Sequence, residues 1–426
     1  MAVVTFDRVD VVFGPDSAKA LALLDRGENK DEIYAGTDIV VGVAAASLAV
    51  DEGEIFVLMG LSGSGKSTLL RCVNGLNKVT RGRVLVRDDG TDIDIAACDA
   101  ATLRQLRMNR ISMVFQQFAL MPWRTVRDNV AYGLEVRGMS KAERYRKVEE
   151  VLELVRLDQW IDKYPHELSG GMQQRVGLAR AFATDAEILL MDEPFSALDP
   201  LIREHLQDEL LEFQRRLQKT ILFVSHDLDE ALKIGTRIAI MESGRIVQTG
   251  RPEEIITRPA TGYVRQFVAN VNPLNVLRAA TLMRPAESLA HETGGAVRLD
   301  DAGACRLQID GEGRPVACRL DGGEGRLVAC GDAPAAGAPA AGAPGERVLV
   351  VGGLDTPMRV AIEICHRFGR PMPILDAEGR LAGVIGVAEL MAGMLRRQQA
   401  MPEVGGADDA GEEPDGGPAA RDAAIT

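Results

Sequence analysis

The apolar and polar positions open as a strand. Residues 3–13 (VVTFDRVDVVF) alternate and are rich in β-branched side chains, the pattern of a half-buried strand. Residues 15–40 interrupt it; within them Ala18–Leu24 and Lys30–Tyr34 carry apolar positions at helical spacing. Strand character returns over Val40–Val50 and over Ile55–Met59, which runs into a glycine-rich stretch with a helix predicted from Lys66. Residues 101–185 read as mainly helical, with charged faces such as Lys141–Arg156. The short apolar runs Ile188–Met191 and Thr220–Val224 fit strands buried on both faces. Strands separated by helices predict an α/β core on a largely parallel sheet.

The pattern changes after about residue 270. Gly331–Gly345 (GDAPAAGAPAAGAPG) has no large apolar groups to pack and reads as an Ala/Pro/Gly linker. Order resumes over Glu346–Arg397, where Asp355–Glu363 and Pro373–Ile385 read helix, strand, turn, strand. From Pro402 onward Glu403, Asp408, Asp409, Glu412, Glu413 and Asp415 predict a solvated, disordered acidic tail.

Composition narrows the function classes. Hydrophobic residues make up 46% of the 426 positions but aromatics only 4%, so the cores must be aliphatic. A formal net charge of −13 argues against non-specific nucleic-acid binding, which needs a basic footprint. Cys72, Cys98, Cys305, Cys318, Cys330 and Cys365 form no C-x-x-C pair and are expected to be free thiols in a reducing cytoplasm. The start, MAVVTFDRVD, has neither a basic nor an apolar leader region, so no signal peptide is expected. No run of about 18 apolar residues is present, so work at a membrane would require docking to another protein.

Gly60-Leu-Ser-Gly-Ser-Gly-Lys66-Ser67 fits G-x-x-x-x-G-K-[ST] between a predicted strand and a predicted helix. Glycines there let backbone N–H groups turn inward around phosphate oxygens, and the helix start adds its positive end. Lys66 can reach the β- and γ-phosphates, and the Ser67 hydroxyl can ligate Mg²⁺. Gly60, Ser62, Gly63, Ser64, Gly65, Lys66, Ser67 and Thr68 are the candidate nucleotide-binding residues.

Ile188-Leu-Leu-Met-Asp192-Glu193 is a buried strand that ends in two acids, at the edge where ligands bind in such sheets. Asp192 is placed to hold Mg²⁺ through its water shell, and Glu193 to polarise an attacking water as general base. His226, in Phe223-Val-Ser-His-Asp227, follows another apolar strand and is a candidate contact to the γ-phosphate. Gln116 ends the run Ile111–Phe115 and can ligate Mg²⁺ or hydrogen-bond its water. Singly, these are also what a solvated strand end, a structural histidine and a surface amide look like; a phosphate loop in the same chain gives them weight.

Leu168-Ser-Gly-Gly-Met-Gln173 adds a second anion-facing element. Ser169 and the pair Gly170-Gly171 expose N–H groups ahead of the helix Met172–Arg180, although a plain serine-capped helix has the same look. One nucleotide cannot easily use both elements within one chain. The simplest inference is a head-to-tail dimer, with each ATP between one chain's phosphate loop and the other's Ser-Gly-Gly.

Taken in order, the loop, Gln116, Leu168–Gln173, Asp192-Glu193, Ser196-Ala-Leu-Asp199 and His226 resemble the ATP-binding cassette (ABC) transporter ATPases over about residues 1–270. The resemblance implies a P-loop NTPase fold: a RecA-like α/β core with a helical subdomain at about 117–183 that carries Ser169. It implies ATP and Mg²⁺ as cofactors and two ATP sites per homodimer, with Asp199 at the seam and Phe13 stacking on adenine. The implied partners are a transmembrane permease and, through it, a periplasmic or lipid-anchored substrate-binding protein; nucleic acid is not among them. The implied location is the cytoplasmic face of the inner membrane.

The interruption at 15–40, with Phe118–Trp123, Ala197–Arg203 and Ser225–Glu230, is similar to the glycine betaine/choline importer ATPases. Cys72-Val-Asn-Gly-Leu-Asn77 with Val79-Thr-Arg-Gly82 looks closest to the choline branch. Two rivals stand beside this reading: an importer for another organic solute, and a soluble ABC ATPase with no transporter. Residues 346–400 are similar to a cystathionine-β-synthase-type (CBS) repeat. Such repeats pack in pairs, and Thr281–Pro285 and Ile309–Arg314 echo it, so 271–330 is expected to be a degenerate CBS-like half. The ribose-holding positions of such repeats are Val387 and Glu389 here, which points to a degenerate regulatory or dimer-stabilising module. The expected division is 1–270, 271–330, linker 331–345, 346–400 and tail 401–426.

Overall fold

The computed structural model describes residues 1–116, 119–196, 198–269, 271–272, 276–292, 294–330 and 347–392. The linker at 331–345, the tail at 401–426, Phe118 and Ala197 lie outside the described residues.

The opening strand, Ala2–Phe13, pairs antiparallel with Val40–Asp51 and with Arg81–Asp88, and Thr91–Asp94 completes a four-stranded sheet. The strand is more than a simple alternation. Val4 and Phe6 face inward, and then Val9 and Val11 do, a change of parity. A bulge at Arg8, whose φ is +47, absorbs the extra residue and keeps both pairs in the core.

The second sheet has six strands in the order Arg245–Gly250, Arg237–Glu242, Ile55–Met59, Thr220–Ser225, Ile188–Asp192, Ile111–Val114. All neighbours are parallel except the Arg237–Gly250 hairpin. The three central strands are buried at every residue, which is why they read as unbroken apolar runs. The helix Lys66–Val73 packs Leu69, Leu70 and Val73 between the two sheets, while Phe182, Phe195, Phe213 and Phe223 fill the opposite face.

Three capped helices form a separate helical unit: Val126–Val136 (Thr125 cap), Lys141–Leu154 (Ser140 cap) and Gly170–Ala183 (Ser169 cap). Their core is Val126, Val130, Leu134, Val148, Leu152 and Val176 with neighbours. The expected helical subdomain is therefore present, with the strand Ile111–Val114 leading into it.

The interruption after Phe13 folds as two helices, Ser17–Asp25 and Lys30–Thr37. Asp16 caps the first; Asn29 and Glu32 form a capping box on the second. Ala20, Leu24 and Ile33 pack on Ile39, Val41 and Ala44. Arg81 ties the insert to the sheet: its Nη1 and Nη2 both lie 2.9 Å from Asp25, and its Nε lies 2.7 Å from buried Asp10.

Beyond residue 276 the described residues build a nine-stranded sheet. Val348–Gly353, the helix Met358–Phe368, Met372–Leu375 and Leu381–Ile385 give the expected strand–helix–strand–strand order. The expected partner half at 271–330 is not a second copy. Strands from Ala290 to Ala329 form an antiparallel meander that joins the first unit through the parallel pair Gly323–Ala329 and Val348–Gly353. Beyond residue 276 the described residues place only one short α-helix, Ala279–Leu282, and one 3-10 turn, Ala286–Ser288, ahead of it. The sequence echo has a local cause. Asp310–Arg314 and Asp376–Arg380 are the same hairpin turn, each closed by an aspartate accepting two N–H groups. A repeated turn is not a repeated domain.

Candidate functional site

The phosphate loop is shaped by close backbone approach. Gly60 has φ +148, and a Cβ there would stand 2.2 Å from the Met241 carbonyl oxygen. Gly65 has φ +97, and a Cβ there would stand 2.2 Å from the Gly42 carbonyl oxygen. Only glycine satisfies both constraints. Gly65 caps the helix Lys66–Val73 without a side-chain hydrogen bond, so no side chain of the cap competes for the first N–H groups. Lys66 donates to the carbonyls of Gly60 (2.9 Å) and Leu61 (3.0 Å). Burial lowers its pKa, and the charges of Glu193 and Asp192 oppose that shift. Ser64 Oγ is buried with no partner.

Ser67 Oγ donates to Asp192 Oδ1 at 2.6 Å across 125 positions of sequence. Arg71 holds the other oxygen, Oδ2, through Nη2 (2.8 Å) and Nε (3.1 Å). Asp192 is fully buried. Among the described residues no cluster of three His, Cys, Asp or Glu side chains could hold a metal. A hydroxyl and one carboxylate beside a phosphate loop are hard oxygen donors, and they suit Mg²⁺, which keeps water and phosphate oxygens as its remaining ligands.

Glu193 follows Asp192 with φ +47, a left-handed conformation costing about 1–2 kcal/mol. Its N–H donates to the Val224 carbonyl (3.1 Å), tying it to the neighbouring strand. Glu193 Oε2 meets Gln116 Nε2 at 3.1 Å and His226 Nδ1 at 3.2 Å. Three strand ends thus converge on one carboxylate oxygen. The hydrogen bond of the Gln116 side chain goes to Glu193, the residue after Asp192.

The other expected residues are placed separately. A Cβ on Gly42 would meet the Phe13 ring at 2.8 Å and the Thr68 methyl at 3.0 Å, so Phe13, 43% exposed, lies close to Thr68 at the end of the loop. Ser169 caps its helix through the Met172 N–H (3.4 Å), and nothing lies within 4 Å of a Cβ on Gly170. No hydrogen bond joins Ser169–Gly171 to Gly60–Ser67 among the described residues. Asp199 caps the helix Pro200–Leu217 with its carboxylate exposed and making no cap bond.

Sequence reasoning gave no role to Arg71 and Arg203. Arg203 Nη1 pairs with Asp227 (2.9 Å), and its Nη2 donates to the Leu198 carbonyl (3.3 Å). It therefore bridges the segment before Asp199 to the residue after His226. Behind it Glu230, held by Ser225 and by Gln207 (3.1 Å), has its pKa raised by burial. Arg71 lies one helical turn after Ser67, so the spacing alone puts both on one face.

Comparison with known proteins decides the family. The ABC transporter family model matches residues 43–196. The glycine betaine/proline betaine transport ATP-binding protein ProV of Escherichia coli K12 is 52% identical over 273 residues, 64% of this chain and 67% of that protein. The chain belongs to the ABC transporter ATPases. The glycine betaine/carnitine transport ATP-binding protein GbuA of Listeria monocytogenes is 41% identical over 390 residues, 90% of this chain and 96% of its own. That likeness extends well into the C-terminal sheet. The dimeric ABC transporter cassette MJ0796 superposes with a TM-score of 0.50 at 30% identity, covering 58% of this chain and 98% of its own. A second MJ0796 structure is a post-hydrolysis dimer bound to ADP and Pi. This ABC ATPase thus takes ATP with Mg²⁺ and couples its hydrolysis to transport.

Proposed function

We propose that this chain is the ATPase subunit of an importer for small quaternary amines of the glycine betaine class. The chemistry rests on one observation: Gln116 and His226 converge on Glu193 beside a phosphate loop and the Ser67–Asp192 pair. The substrate class is taken from the relatives, whose names specify glycine betaine, proline betaine and carnitine. Choline is a narrower choice within that class.

In this reading Lys66 and the N–H groups from Gly60 to Thr68 hold the phosphates, with Phe13 against the adenine. Ser67 and Asp192 hold Mg²⁺, which when bound offsets phosphate charge. Glu193 takes a proton from the attacking water, and Gln116 and His226 hold its carboxylate in place. Ser169, Gly170 and Gly171 serve the partner subunit's nucleotide, with Asp199 at the seam of a head-to-tail homodimer. Trp123, 74% exposed just ahead of the helical unit, contacts a helix of the permease. The permease in turn receives solute from a substrate-binding protein on the far side. No helix among the described residues is long and apolar enough to cross a membrane, which suits a subunit docked at the cytoplasmic face. Residues 1–270 form the nucleotide-binding domain, and the C-terminal region is a regulatory or dimer-stabilising module.

The test of the chemistry is Glu193→Gln. It should bind MgATP, lose turnover by about 100- to 1000-fold and accumulate a closed dimer. Normal turnover removes Glu193 as the base. Uptake assays with permease and binding protein, comparing glycine betaine, choline and an unrelated solute, test the substrate class.

A further inference from the structure

The insert after Phe13 reaches the phosphate loop. Lys30 Nζ donates to the Gly63 carbonyl at 3.1 Å, across 33 positions of sequence. The remainder of the loop is braced by the core: Gly60 against Met241, Gly65 against Gly42, and the Ser64 carbonyl by the Gly244 N–H at 3.1 Å. The apex is different. Nothing lies within 4 Å of a Cβ on Gly63, and Leu61 is 60% exposed. Lys30 braces the part of the loop that the sheets leave bare.

Its reach is fixed by the fold. Lys30 is the first residue of a helix whose start is set by the Asn29–Glu32 capping box, and Ile33 anchors that helix in the insert's own core. Arg81 ties the preceding helix to Asp10 at the sheet. Among the described residues no carboxylate pairs with the Lys30 ammonium, so its charge is not neutralised locally.

We propose that Lys30 is a positioning residue for the nucleotide: by holding the Gly63 carbonyl, it keeps the loop apex in one conformation beside a positive charge that favours the phosphates. A carbonyl held toward Lys30 is held away from phosphate oxygens it would repel, and the flanking N–H groups stay free to donate. The insert thereby sets the affinity of this cassette for MgATP. The proposal rests on the ATPase reading and concerns binding rather than the chemical step.

The test uses the full-length protein with Lys30→Ala, Lys30→Arg and, as a control on the same insert, Lys19→Ala. KM from steady-state hydrolysis and Kd from titration with a fluorescent ATP analogue and Mg²⁺ are both measured. Lys30→Ala should raise both by about 3- to 10-fold with kcat within about twofold, the net worth of one solvent-exposed hydrogen bond. Lys30→Arg should recover most of the affinity, and Lys19→Ala should match the wild type. An unchanged Kd in Lys30→Ala overturns the proposal, as does a loss shared equally by Lys30→Arg together with a lowered melting midpoint. A wild-type chain that binds MgATP without turnover would instead count against the hydrolysis reading, and the Kd comparison would still test Lys30.

Discussion

Two helix starts in this molecule face outward for anions, and they are built differently. The helix Lys66–Val73 begins at a glycine, carries a buried ammonium, and stands beside Asp192 and Glu193, with its own Arg71 paired to Asp192. The helix Gly170–Ala183 begins at a serine, has no acidic residue in its first turn, and opens into free space at Gly170. The first has the charges and the base but leaves its apex bare. The second offers a hydroxyl, N–H groups and a dipole, with no chemistry of its own. In the proposed head-to-tail dimer they are complementary halves of one site, and no hydrogen bond joins them within the protomer among the described residues.

The most forceful way to break that comparison is to damage each half alone. Lys66→Ala should weaken MgATP binding by about 100-fold, measured by nucleotide titration of the isolated chain. Gly170→Asp should leave that binding within about threefold while lowering hydrolysis by about 100-fold and preventing ATP-dependent dimerisation. The aspartate has room, and at a helix start it should raise the melting midpoint slightly. A loss of monomer binding in Gly170→Asp would mean that the two starts are not separate halves.

Arg203 tests how the halves communicate. It joins the Leu198 carbonyl, just before Asp199 at the proposed seam, to Asp227, just after His226. Arg203→Ala should lower kcat by about 10-fold, with KM for MgATP little changed, because it positions the His226 segment without touching nucleotide. Lysine at the same place keeps one bond and should recover part of the rate. A change confined to KM would show that Arg203 acts on binding.

How much of this was legible beforehand depended on the range of each signal. The strand ends bearing Asp192, Glu193 and His226 were readable because buried parallel strands are unbroken apolar runs and ligands gather at their C-terminal ends. The loop was readable because its glycines are required by backbone contacts 2.2 Å away. Arg71 was within reach through i, i+4 spacing from Ser67. Arg203 and Lys30 were not, since nothing local says that an arginine on one helix meets an aspartate 24 positions later, or that an insert folds back on a loop. At the C-terminus, Asp310–Arg314 resembled Asp376–Arg380 for a true reason, a shared turn, but the strands around it pair as a meander. Turn chemistry is local, and sheet pairing is not.

Glu230 offers the smallest effect and the finest test of the packing behind His226. Burial raises its pKa in the folded chain above the unfolded value. The folded state therefore holds more protons than the unfolded state across the window between those two values. Stability should fall as pH rises through that window, with the loss complete above the folded pKa. Glutamine removes the titration and retains a carbonyl oxygen to accept from Ser225, while its amide N–H₂ faces Gln207, whose own amide turns its oxygen to accept. Glu230→Gln should melt about 1–3 °C above the wild type at pH 8, and the gap should close as the pH approaches 4. Melting curves across that range decide it. A gap that stays constant with pH would mean that Glu230 binds its proton equally well in the folded and unfolded chains, so that its neighbours, not its charge, set the stability of the His226 segment.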